Sequence, residues 1–429
     1  MSKVLAPKGT YDLLPSEAAT WRALESAIYQ IFREYGYGEL RTPIFEHTEL
    51  FQRGIGETTD IVEKEMFTFS DRGDRSVTLR PEGTASVVRA YLEHNLAATG
   101  GVAKLFYYGP MFRCEAPQAG RFRQFSQFGV EVLGGHDPRI DAEVIAIAVN
   151  IYRRLGITDL EINVNSIGCP TCRPVYRERL IEHLRPRLAE MCPNCQRRLE
   201  RNPLRLLDCK NSACKKLTAD IPLITETLCA DCGSHFDQLL KYLELTNIKY
   251  RLNPRLVRGF DYYTKTVFEV VAGDLGAQNA LCGGGRYDGL VEECGGPATP
   301  GIGFAAGMER LMMVLKSRNL LPEVKTTPHL YLAPLGNEAQ QVLFPMMIQL
   351  REAGWIVETD LLSRSLKAQM KSADKLGATL VGVLGEDELR SGNIVIRHMD
   401  TSQQESIPLT EIQNVLQQKF SENVISVKS

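Results

Sequence analysis

The sequence predicts an α+β fold followed by a smaller α/β domain. Between residue 36 and about residue 155, strand-like and helix-like segments mix without the regular alternation that builds a parallel sheet. Such an order favours an antiparallel sheet with flanking helices. Beyond residue 328 the alternation becomes regular, which is typical of an α/β sandwich with a mainly parallel sheet.

The elements of the first part follow in chain order. A helix is predicted from a cap at Ser16 to about Tyr35, with Gly36 as its stop. Alternating patterns then predict two strand pairs, 66–70 with 76–79 around a turn, and 104–108 with 125–132 around a basic loop. The core is predicted to end with a helix after Gly301, whose polar exceptions are Glu309 and Arg310.

The residue pattern and composition of the chain change between Cys169 and about Asn247. Helical periodicity there carries clusters of arginine and eight of the eleven cysteines. This pattern predicts a mostly helical, cysteine-rich domain inserted into the antiparallel core. We expect the division to be core 1–168, insertion 169–247, core 248–321, linker 322–328 and C-terminal domain 329–429. The last domain is predicted as strand 329–332, helix 337–353, strand 356–361, helix 365–376, strands 379–384 and 393–397, and helix 408–420.

Composition narrows the class of protein. The 429 residues are 44% hydrophobic and 24% charged, as in ordinary globular proteins. The net charge of −2 disfavours a generic polyanion binder, so any contact with RNA must use local basic patches. No apolar run reaches the about 18 residues of a membrane span, and the N-terminus lacks a signal-peptide pattern. We expect a cytoplasmic protein whose cysteines are thiols or metal ligands.

The segment 256–263 is the most informative stretch. Read as a strand, it places Gly259 where a β-branched residue would pack better, which indicates a close approach of the backbone to a ligand. Arg258 would then face an anion, and Tyr262 and Tyr263 would offer hydroxyl groups. The alternative is a solvated arginine beside two half-buried tyrosines.

Further polar residues lie on otherwise apolar elements. Arg113 follows the strand 104–108, and Arg310 opens the last helix of the core. Three arginines on or beside apolar elements, these two and Arg258, are better explained by binding of a polyphosphate than by exposure to solvent. Gln127 and Glu131 are an even number of residues apart on one strand, so they share a face.

These residues stand within motifs that resemble a known family. Phe-Arg-Cys-Glu at 112–115 and Gly-Met-Glu-Arg at 307–310 resemble motifs two and three of the class II aminoacyl-tRNA synthetases. The segment 36–46 resembles motif one, whose proline, here Pro43, lies at a dimer interface. The blocks 258–263 and 283–290 resemble two that are peculiar to histidyl-tRNA synthetases, and 8–12 and 79–84 fit as well.

The resemblance implies a reaction and its participants. A homodimer with a class II antiparallel catalytic core and a C-terminal anticodon-binding domain would use ATP and Mg²⁺ to attach histidine to its tRNA. Arg113 and Arg258 would be catalytic, and Arg113, Glu115, Arg258 and Arg310 would bind ATP. Histidine would contact Glu82, Gly83, Thr84, Gln127, Glu131, Tyr262 and Tyr263, and the loop with Gln118, Arg121 and Arg123 would meet the tRNA acceptor end.

Alternatives remain at this stage for residues and for function. Glu82 can instead be a carboxylate that stabilises a helix start, Glu131 a solvated strand residue, and the basic loop a merely mobile one. A non-catalytic regulatory subunit of histidine biosynthesis would share the core, but it usually lacks the catalytic signatures and the C-terminal domain. A synthetase for glycine, threonine or proline would lack the 258–263 block.

The cysteines predict metal sites that the resemblance does not imply. Four close pairs occupy the insertion: Cys169 with Cys172, Cys192 with Cys195, Cys209 with Cys214, and Cys229 with Cys232. Pairs that meet in space make tetrahedral Cys₄ zinc sites. We expect the first pair to meet the last at the base of the insertion, and the middle two to meet each other. Buried or solvated thiols are the alternative.

Overall fold

The computed structural model describes residues 3–56, 59, 61–116, 120–273, 280–324 and 326–420. The chain forms two compact units, Met1–Pro322 and Glu323–Ser429. Within the described residues, no helix combines the length and apolar composition needed to cross a bilayer.

The first unit contains eleven strands and ten α-helices among its described residues. The strands are β1 (Gly38–Glu39), β2 (Phe45–His47), β3 (Phe67–Ser70), β4 (Ser76–Leu79), β5 (Ala103–Phe112), β6 (Gln124–Leu133), β7 (Leu160–Ser166), β8 (Arg251–Leu252), β9 (Thr264–Ala272), β10 (Ala280–Arg286) and β11 (Gly301–Gly307). The helices are α1 (Pro15–Glu34), α2 (Thr48–Ile55), α3 (Thr84–Glu93), α4 (Pro138–Arg154), α5 (Cys172–Leu184), α6 (Pro193–Arg201), α7 (Ser212–Leu217), α8 (Ala230–Leu245), α9 (Leu290–Glu293) and α10 (Met308–Ser317).

The predicted antiparallel core is confirmed. Eight strands form one sheet in the order β1-β5-β6-β11-β10-β9-β7-β8, and its five internal ladders are antiparallel, with parallel pairs only at the two edges. The predicted hairpins are β3 with β4 and β5 with β6. A small second sheet has the order β2-β4-β3.

Helices α1, α4 and α8 pack on one face of the large sheet. Their apolar stripes share a core with the sheet, to which Phe32, Ile145 and Leu239 contribute. A buried polar network crosses this layer. Asp141 of α4 accepts from Arg286 of β10, and the Nε2 atom of His235 on α8 lies 3.0 Å from it. Although burial alone raises the pKa of Asp141, His235 and Arg286 hold it below its ordinary value.

Three local predictions for the first unit are wrong. Helix α1 begins at Pro15, with Leu14 as its cap and no side-chain cap bond, because proline fits the first helical turn. Residues 301–307 are strand β11, paired on both sides, so the helix begins only at Met308. The segment 256–263 is not a strand but a loop before β9, which frees its side chains from the alternation of a strand.

The second unit is an α/β sandwich. Its elements are β12 (Leu330–Pro334), α11 (Asn337–Glu352), β13 (Val357–Thr359), α12 (Leu366–Lys375), β14 (Leu380–Leu384), α13 (Glu386–Ser391), β15 (Asn393–His398), β16 (Gln404–Pro408) and α14 (Ile412–Lys419). The sheet order is β13-β12-β14-β15-β16. The ladders among β13, β12 and β14 are parallel, whereas β15 pairs antiparallel with β14 and β16 pairs antiparallel with β15. The predicted helix 408–420 therefore starts late, after a strand.

Candidate active site

The open face of the large sheet carries a cavity of about 500 Å³. Strands β6, β9, β10 and β11 contribute to its lining, together with the start of α10 and the loop 256–263. The three arginines singled out from the sequence, Arg113, Arg258 and Arg310, all line this cavity. They come from parts of the chain nearly 200 residues apart. The order of the strands brings Arg113 and Arg310 to the cavity, and the loop before β9 brings Arg258.

Two of these arginines are anchored by backbone carbonyls. The Nε of Arg113 donates to the carbonyl of Pro81 at 3.0 Å, and its guanidinium lies 5.2 Å from the ring centroid of Phe125. The Nη1 of Arg310 donates to the carbonyl of Ala280 at 2.8 Å. Burial lowers the pKa of both guanidinium groups. A partly desolvated cation gains from an anionic ligand, so this geometry favours phosphate or carboxylate groups in the cavity.

Arg258 has hydrogen-bonding capacity that the described residues do not use. Its Nη1 donates to Glu269 at 3.1 Å. Its Nε is buried and has no partner in the described part of the chain. Gly283 of β10 leaves the space for this guanidinium, since a Cβ atom there would lie 2.2 Å from Nη2 of Arg258. The glycine at the start of the block 283–290 is therefore required because a larger residue would collide with the side chain of Arg258.

A second unused polar atom belongs to Gln127. This residue lines the cavity from β6, and its Oε1 is buried with no hydrogen-bond partner among the described residues. Nearby, the rings of Tyr262 and Tyr263 pack with centroids 4.6 Å apart, and both tyrosines are buried while lining the cavity. Buried polar atoms rarely stay unsatisfied, so the orphaned atoms of Gln127 and Arg258 indicate a polar ligand between them.

The segment 82–84 forms the entry to helix α3. The carboxylate of Glu82 accepts from the backbone N–H groups of Thr84 at 2.6 Å and Ala85 at 2.9 Å. Glu82 thus holds the helix start, as the alternative from the sequence had it, and it also lines the cavity. Gly83 packs flat on Tyr107, because a Cβ atom there would lie 2.5 Å from the tyrosine ring.

Glu131 is only 1% exposed, which excludes a solvated strand residue, and neither it nor Gly83 or Thr84 is among the residues that line the cavity. Its two carboxylate oxygens accept from Thr84 Oγ1 at 2.7 Å and from the hydroxyl of Tyr287. Gly303 of β11 makes room for the group, since a Cβ atom there would lie 1.9 Å from Glu131 Oε2. Burial raises the pKa of Glu131 to about 8 in this state.

The loop between β5 and β6 extends the cationic lining. Glu115 pairs with Arg121 at 3.0 Å, and both line the cavity. The Nε of Arg123 reaches the carbonyl of Glu115 at 3.4 Å, while its backbone N–H donates to the carbonyl of Gly9. Gln118 lies outside the described residues.

Several cavity residues were not singled out from the sequence. Glu269 pairs with Arg258, and Gly283 admits the guanidinium. Asp208 and Lys210, from the insertion, also line the cavity. Of these four residues, only Glu269 gave a signal in the sequence, because it interrupts the apolar pattern of β9. The positions of Gly283, Asp208 and Lys210 at the cavity depend on contacts with residues far along the chain.

The eight cysteines of the insertion form two groups, matching the pairing that their spacing predicted. The inner group is Cys169, Cys172, Cys229 and Cys232, and the outer group is Cys192, Cys195, Cys209 and Cys214. In each group the four sulfur atoms lie within 4.8 Å of one another. The measured Sγ–Sγ distances of 3.6, 3.9 and 4.0 Å exceed the roughly 2 Å of a disulfide bond.

Comparisons with known proteins identify the family of this chain. Residues 9–311 match the family model "Histidyl-tRNA synthetase", and residues 329–419 match "Anticodon binding domain". The histidine–tRNA ligase of Desulforamulus reducens is 54% identical over 95% of this chain and 97% of its own. That of Pelotomaculum thermopropionicum is 53% identical over 97% and 98%. The apo crystal structure of S. aureus histidyl-tRNA synthetase, 38% identical, superposes with a TM-score of 0.83, covering 96% of this chain and all of that one. The chain therefore belongs to the histidyl-tRNA synthetase family.

Proposed function

We propose that this chain joins L-histidine to the 3′ end of its cognate tRNA in two steps, through a histidyl-adenylate formed from ATP. The observation that carries the proposal is the pair of buried, unsatisfied polar atoms, Arg258 Nε and Gln127 Oε1, on a cavity lined by two further arginines. The family assignment supplies the two substrates that fit this combination, a polyphosphate and a small zwitterion.

Adenylate formation needs no nucleophile from the protein. A carboxylate oxygen of histidine attacks the α-phosphorus, the bond to the bridging oxygen breaks, and pyrophosphate leaves with the electron pair. Positioning and charge neutralisation supply the catalysis. Arg113 would hold the carboxylate and the α-phosphate, and Arg310 the γ-phosphate. Arg258 would stabilise the charge that builds on the α-phosphate, and its unpartnered Nε leaves a donor free for this.

Mg²⁺ accompanies ATP in this chemistry. Glu115 lines the cavity beside the proposed phosphate sites, and a carboxylate oxygen is a ligand that Mg²⁺ accepts. The ion would neutralise the phosphates, and the pairing of Glu115 with Arg121 keeps that carboxylate in the cavity wall.

Histidine would lie between the polar atoms of strand β6 and the tyrosine pair. Glu82, with Gly83 and Thr84 at the start of α3, and Gln127 would accept from its ammonium group. Tyr262 or Tyr263 would bind one imidazole nitrogen. Glu131 has acceptor positions left after its bonds to Thr84 and Tyr287, and it would accept from the other imidazole N–H.

The tRNA would reach this cavity with its acceptor end and the second unit with its anticodon. The loop that carries Gln118, Arg121 and Arg123 would meet the acceptor end. We also propose a homodimer formed through the segment that carries Pro43. Supporting it, β1 is an edge strand, and Ile44 and Phe45 are 44% and 52% exposed. We also propose a cytoplasmic location, which the role in translation and the absence of disulfide bonds among the described cysteines support.

The test is aminoacylation of total tRNA with each labelled amino acid, together with ATP–pyrophosphate exchange. Histidine alone should support both reactions. A chain that exchanges no pyrophosphate with any amino acid would instead support the regulatory subunit of histidine biosynthesis. Exchange with glycine, threonine or proline in preference to histidine would support a synthetase of different specificity.

We further propose that each cysteine group holds a structural Zn²⁺. With Zn–S bonds of about 2.3 Å, the edges of a tetrahedron are about 3.8 Å, close to the distances between these sulfur atoms. Backbone N–H groups of Cys229 and Cys192 donate to the sulfurs of Cys172 and Cys214 at 3.1 and 3.3 Å, which stabilises thiolates. Metal analysis of protein purified without chelator should give about two zinc ions per chain, and less than about one would end the idea.

A further inference from the structure

The segment that carries Arg258, Tyr262 and Tyr263 is contacted by both the core and the insertion. From the core, Glu269 of β9 pairs with Arg258, the carbonyl of Ile55 accepts from the backbone N–H of Asp261, and the two tyrosines belong to a buried cluster with core residues. We call residues 253–263 the active-site loop; it lies between β8 and β9 and belongs to no helix or strand. From the large sheet, Asn165 of β7 reaches its first half, with Nδ2 donating to the carbonyl of Leu256 at 3.0 Å. A segment without ladder hydrogen bonds is located by the side chains that contact it.

Three side chains of the insertion donate four hydrogen bonds to the second half of this loop. The guanidinium of Arg173 donates to the backbone carbonyls of Asp261 and Tyr263. Asn202 Nδ2 donates to Asp261 Oδ1 at 2.8 Å, and Arg205 Nη1 donates to the carbonyl of Arg258 at 3.1 Å. The insertion therefore holds the backbone of the residue proposed to stabilise the transition state, and that of a tyrosine proposed to bind histidine.

Each of these contacts lies beside a cysteine group. Arg173 directly follows Cys172 of the inner group. Asn202 and Arg205 lie on the stretch between Cys195 and Cys209 of the outer group. Asp208 and Lys210 stand on either side of Cys209, and both line the active-site cavity. The cysteines thus fix the ends of the stretches that reach the substrate site.

The outer stretch is poorly able to hold its shape without a crosslink. Its helices are short: α6 spans nine residues and α7 six, with a single-turn helix at Pro203–Leu206 between them. Helices of this length are unstable alone. The apolar side chains that supplement them include four leucines, Leu199, Leu204, Leu206 and Leu207. Cys195, Cys209 and Cys214 belong to the same cluster, which continues into Leu256, Tyr262 and Tyr263.

We propose that the two Cys₄ metal centres position the active-site loop for histidine activation. The inner centre acts through Arg173, and the outer centre acts through Asn202 and Arg205 while setting Asp208 and Lys210 at the cavity rim. This inference rests on the zinc ions proposed above. These residues are positioning residues, and the metal takes no part in the chemistry. Loss of the outer metal should therefore weaken histidine use and adenylate formation together, although the cavity arginines remain.

The experiment compares three variants of the full-length protein. Cys209→Ser removes one ligand of the outer centre, and Cys294→Ser is the matched control, a partly buried thiol outside both groups. The double change of Asn202→Ala with Arg205→Ala cuts the contacts while leaving every cysteine. The readouts are zinc per chain, hydrogen exchange of peptides covering 253–263, and the kinetics of pyrophosphate exchange with histidine varied.

We expect Cys209→Ser to hold about one zinc per chain, to exchange faster across the active-site loop, and to lose about 100-fold in kcat/KM for histidine, since a displacement of about 1 Å has that effect. The double variant should keep two zinc ions and show the same loss. Cys294→Ser should behave as the unchanged protein. Addition of Zn²⁺ should restore the unchanged protein after chelation but not Cys209→Ser.

The outcomes separate the two proposals. If Cys209→Ser loses one zinc but its loop exchange and kinetics match Cys294→Ser, the zinc site stands and the positioning role is overturned. If the unchanged protein binds less than one zinc per chain, the proposed zinc sites and their positioning role are both wrong. The proposal of histidylation is not affected, because it is tested by a separate assay. Should Cys209→Ser fail to fold, the double variant decides, since normal loop exchange and kinetics there would overturn the inference.

Discussion

Two arginines of the first unit, the fully buried Arg286 and the partly buried Arg258, stand in opposite situations. Arg286 is 0% exposed, and each of its nitrogens donates within the protein, to Asp141, Asp288 and the carbonyl of Gly135. Arg258 lies on an irregular loop, has one ion pair, with Glu269, and retains a buried Nε with no partner in the described part of the chain.

The difference shows how to separate structural from functional cations in one protein. A buried charge whose hydrogen-bonding capacity is fully used by its own chain has nothing to offer a ligand, and removing it leaves its partners unpaired. A buried charge with unused capacity beside a cavity is costly to the fold and is paired only when a ligand enters. The four predictions that follow test this contrast, beginning with the largest expected effect.

Arg286→Ala should destabilise the first unit by roughly 3–5 kcal/mol, because it leaves the buried carboxylate of Asp141 without its cation. Urea unfolding followed by the fluorescence of Trp21, in a Trp355→Phe background, reports this unit. Arg139→Ala is the matched control, since it breaks an exposed pair with Asp137 and should cost under about 1 kcal/mol. Equal losses of unfolding free energy in both variants would show that the buried pair contributes no more to stability than the exposed pair.

Arg258→Ala should lower the rate of adenylate formation by about 10²–10³-fold with little change in unfolding free energy or in the dissociation constants of histidine and ATP. Its proposed target is charge that exists only in the transition state. Rapid-quench measurement of single-turnover adenylation, combined with equilibrium binding, checks this. Near-normal turnover of this variant would show that Arg258 takes no part in the mechanism and is a structural arginine like Arg286.

Gly283→Ala should reduce the same rate by about 100-fold while the protein stays folded. The new Cβ atom would lie 2.2 Å from Nη2 of Arg258, and the guanidinium, at the end of a flexible chain, can move away but then leaves its position. Gly233→Ala on helix α8 is the control, because the new methyl group would have no heavy atom within 4 Å and alanine favours helix. Unchanged adenylation in Gly283→Ala would show that Arg258 acts from more than one position.

Glu131→Gln should weaken histidine binding by about 1.5–3 kcal/mol at pH 8.5, since an imidazole N–H would lose a charged acceptor. The pKa of about 8 sets the sign of the pH dependence. Below it Glu131 is protonated, so in the unchanged protein histidine affinity should rise by about fivefold to tenfold from pH 7 to pH 8.5. Calorimetric titration of both proteins checks this; the same pH dependence in Glu131→Gln would make Glu131 a residue that only orients Thr84 and Tyr287.

Much of the fold could be predicted because its signals are local. The alternation over 104–108 and 125–132 reports a strand pair, and both strands are there, extended to Ala103–Phe112 and Gln124–Leu133. The errors occur where tertiary pairing overrides a local pattern. Residues 301–307 join the middle of the sheet as a strand although they run directly into a helix. Residues 256–263 form a loop that side chains of the insertion contact.

The site divides in the same way. Arg113, Gln127, Arg258 and Arg310 were marked by being polar residues on apolar or irregular elements, and all four line the cavity. Glu269, Asp208 and Lys210 were not found, and Gly283 was noted only as part of the block 283–290, because what places these residues at the cavity is a neighbour far along the chain. The burial of Glu131 likewise depends on Thr84, Tyr287 and Gly303, none of which its own strand contains.

The sequence by itself determined the kinds of secondary structure, the grouping of the eight cysteines and the identity of the cations that meet at the cavity, because side-chain chemistry and short-range spacing are properties of the chain. Only the tertiary structure decided which arginine forms its hydrogen bonds within the protein and which keeps a donor for a ligand. Arg286 meets Asp141 across 145 residues, and Arg258 meets the space left by Gly283. Whether a buried charge is satisfied depends on such distant neighbours, which no local pattern specifies.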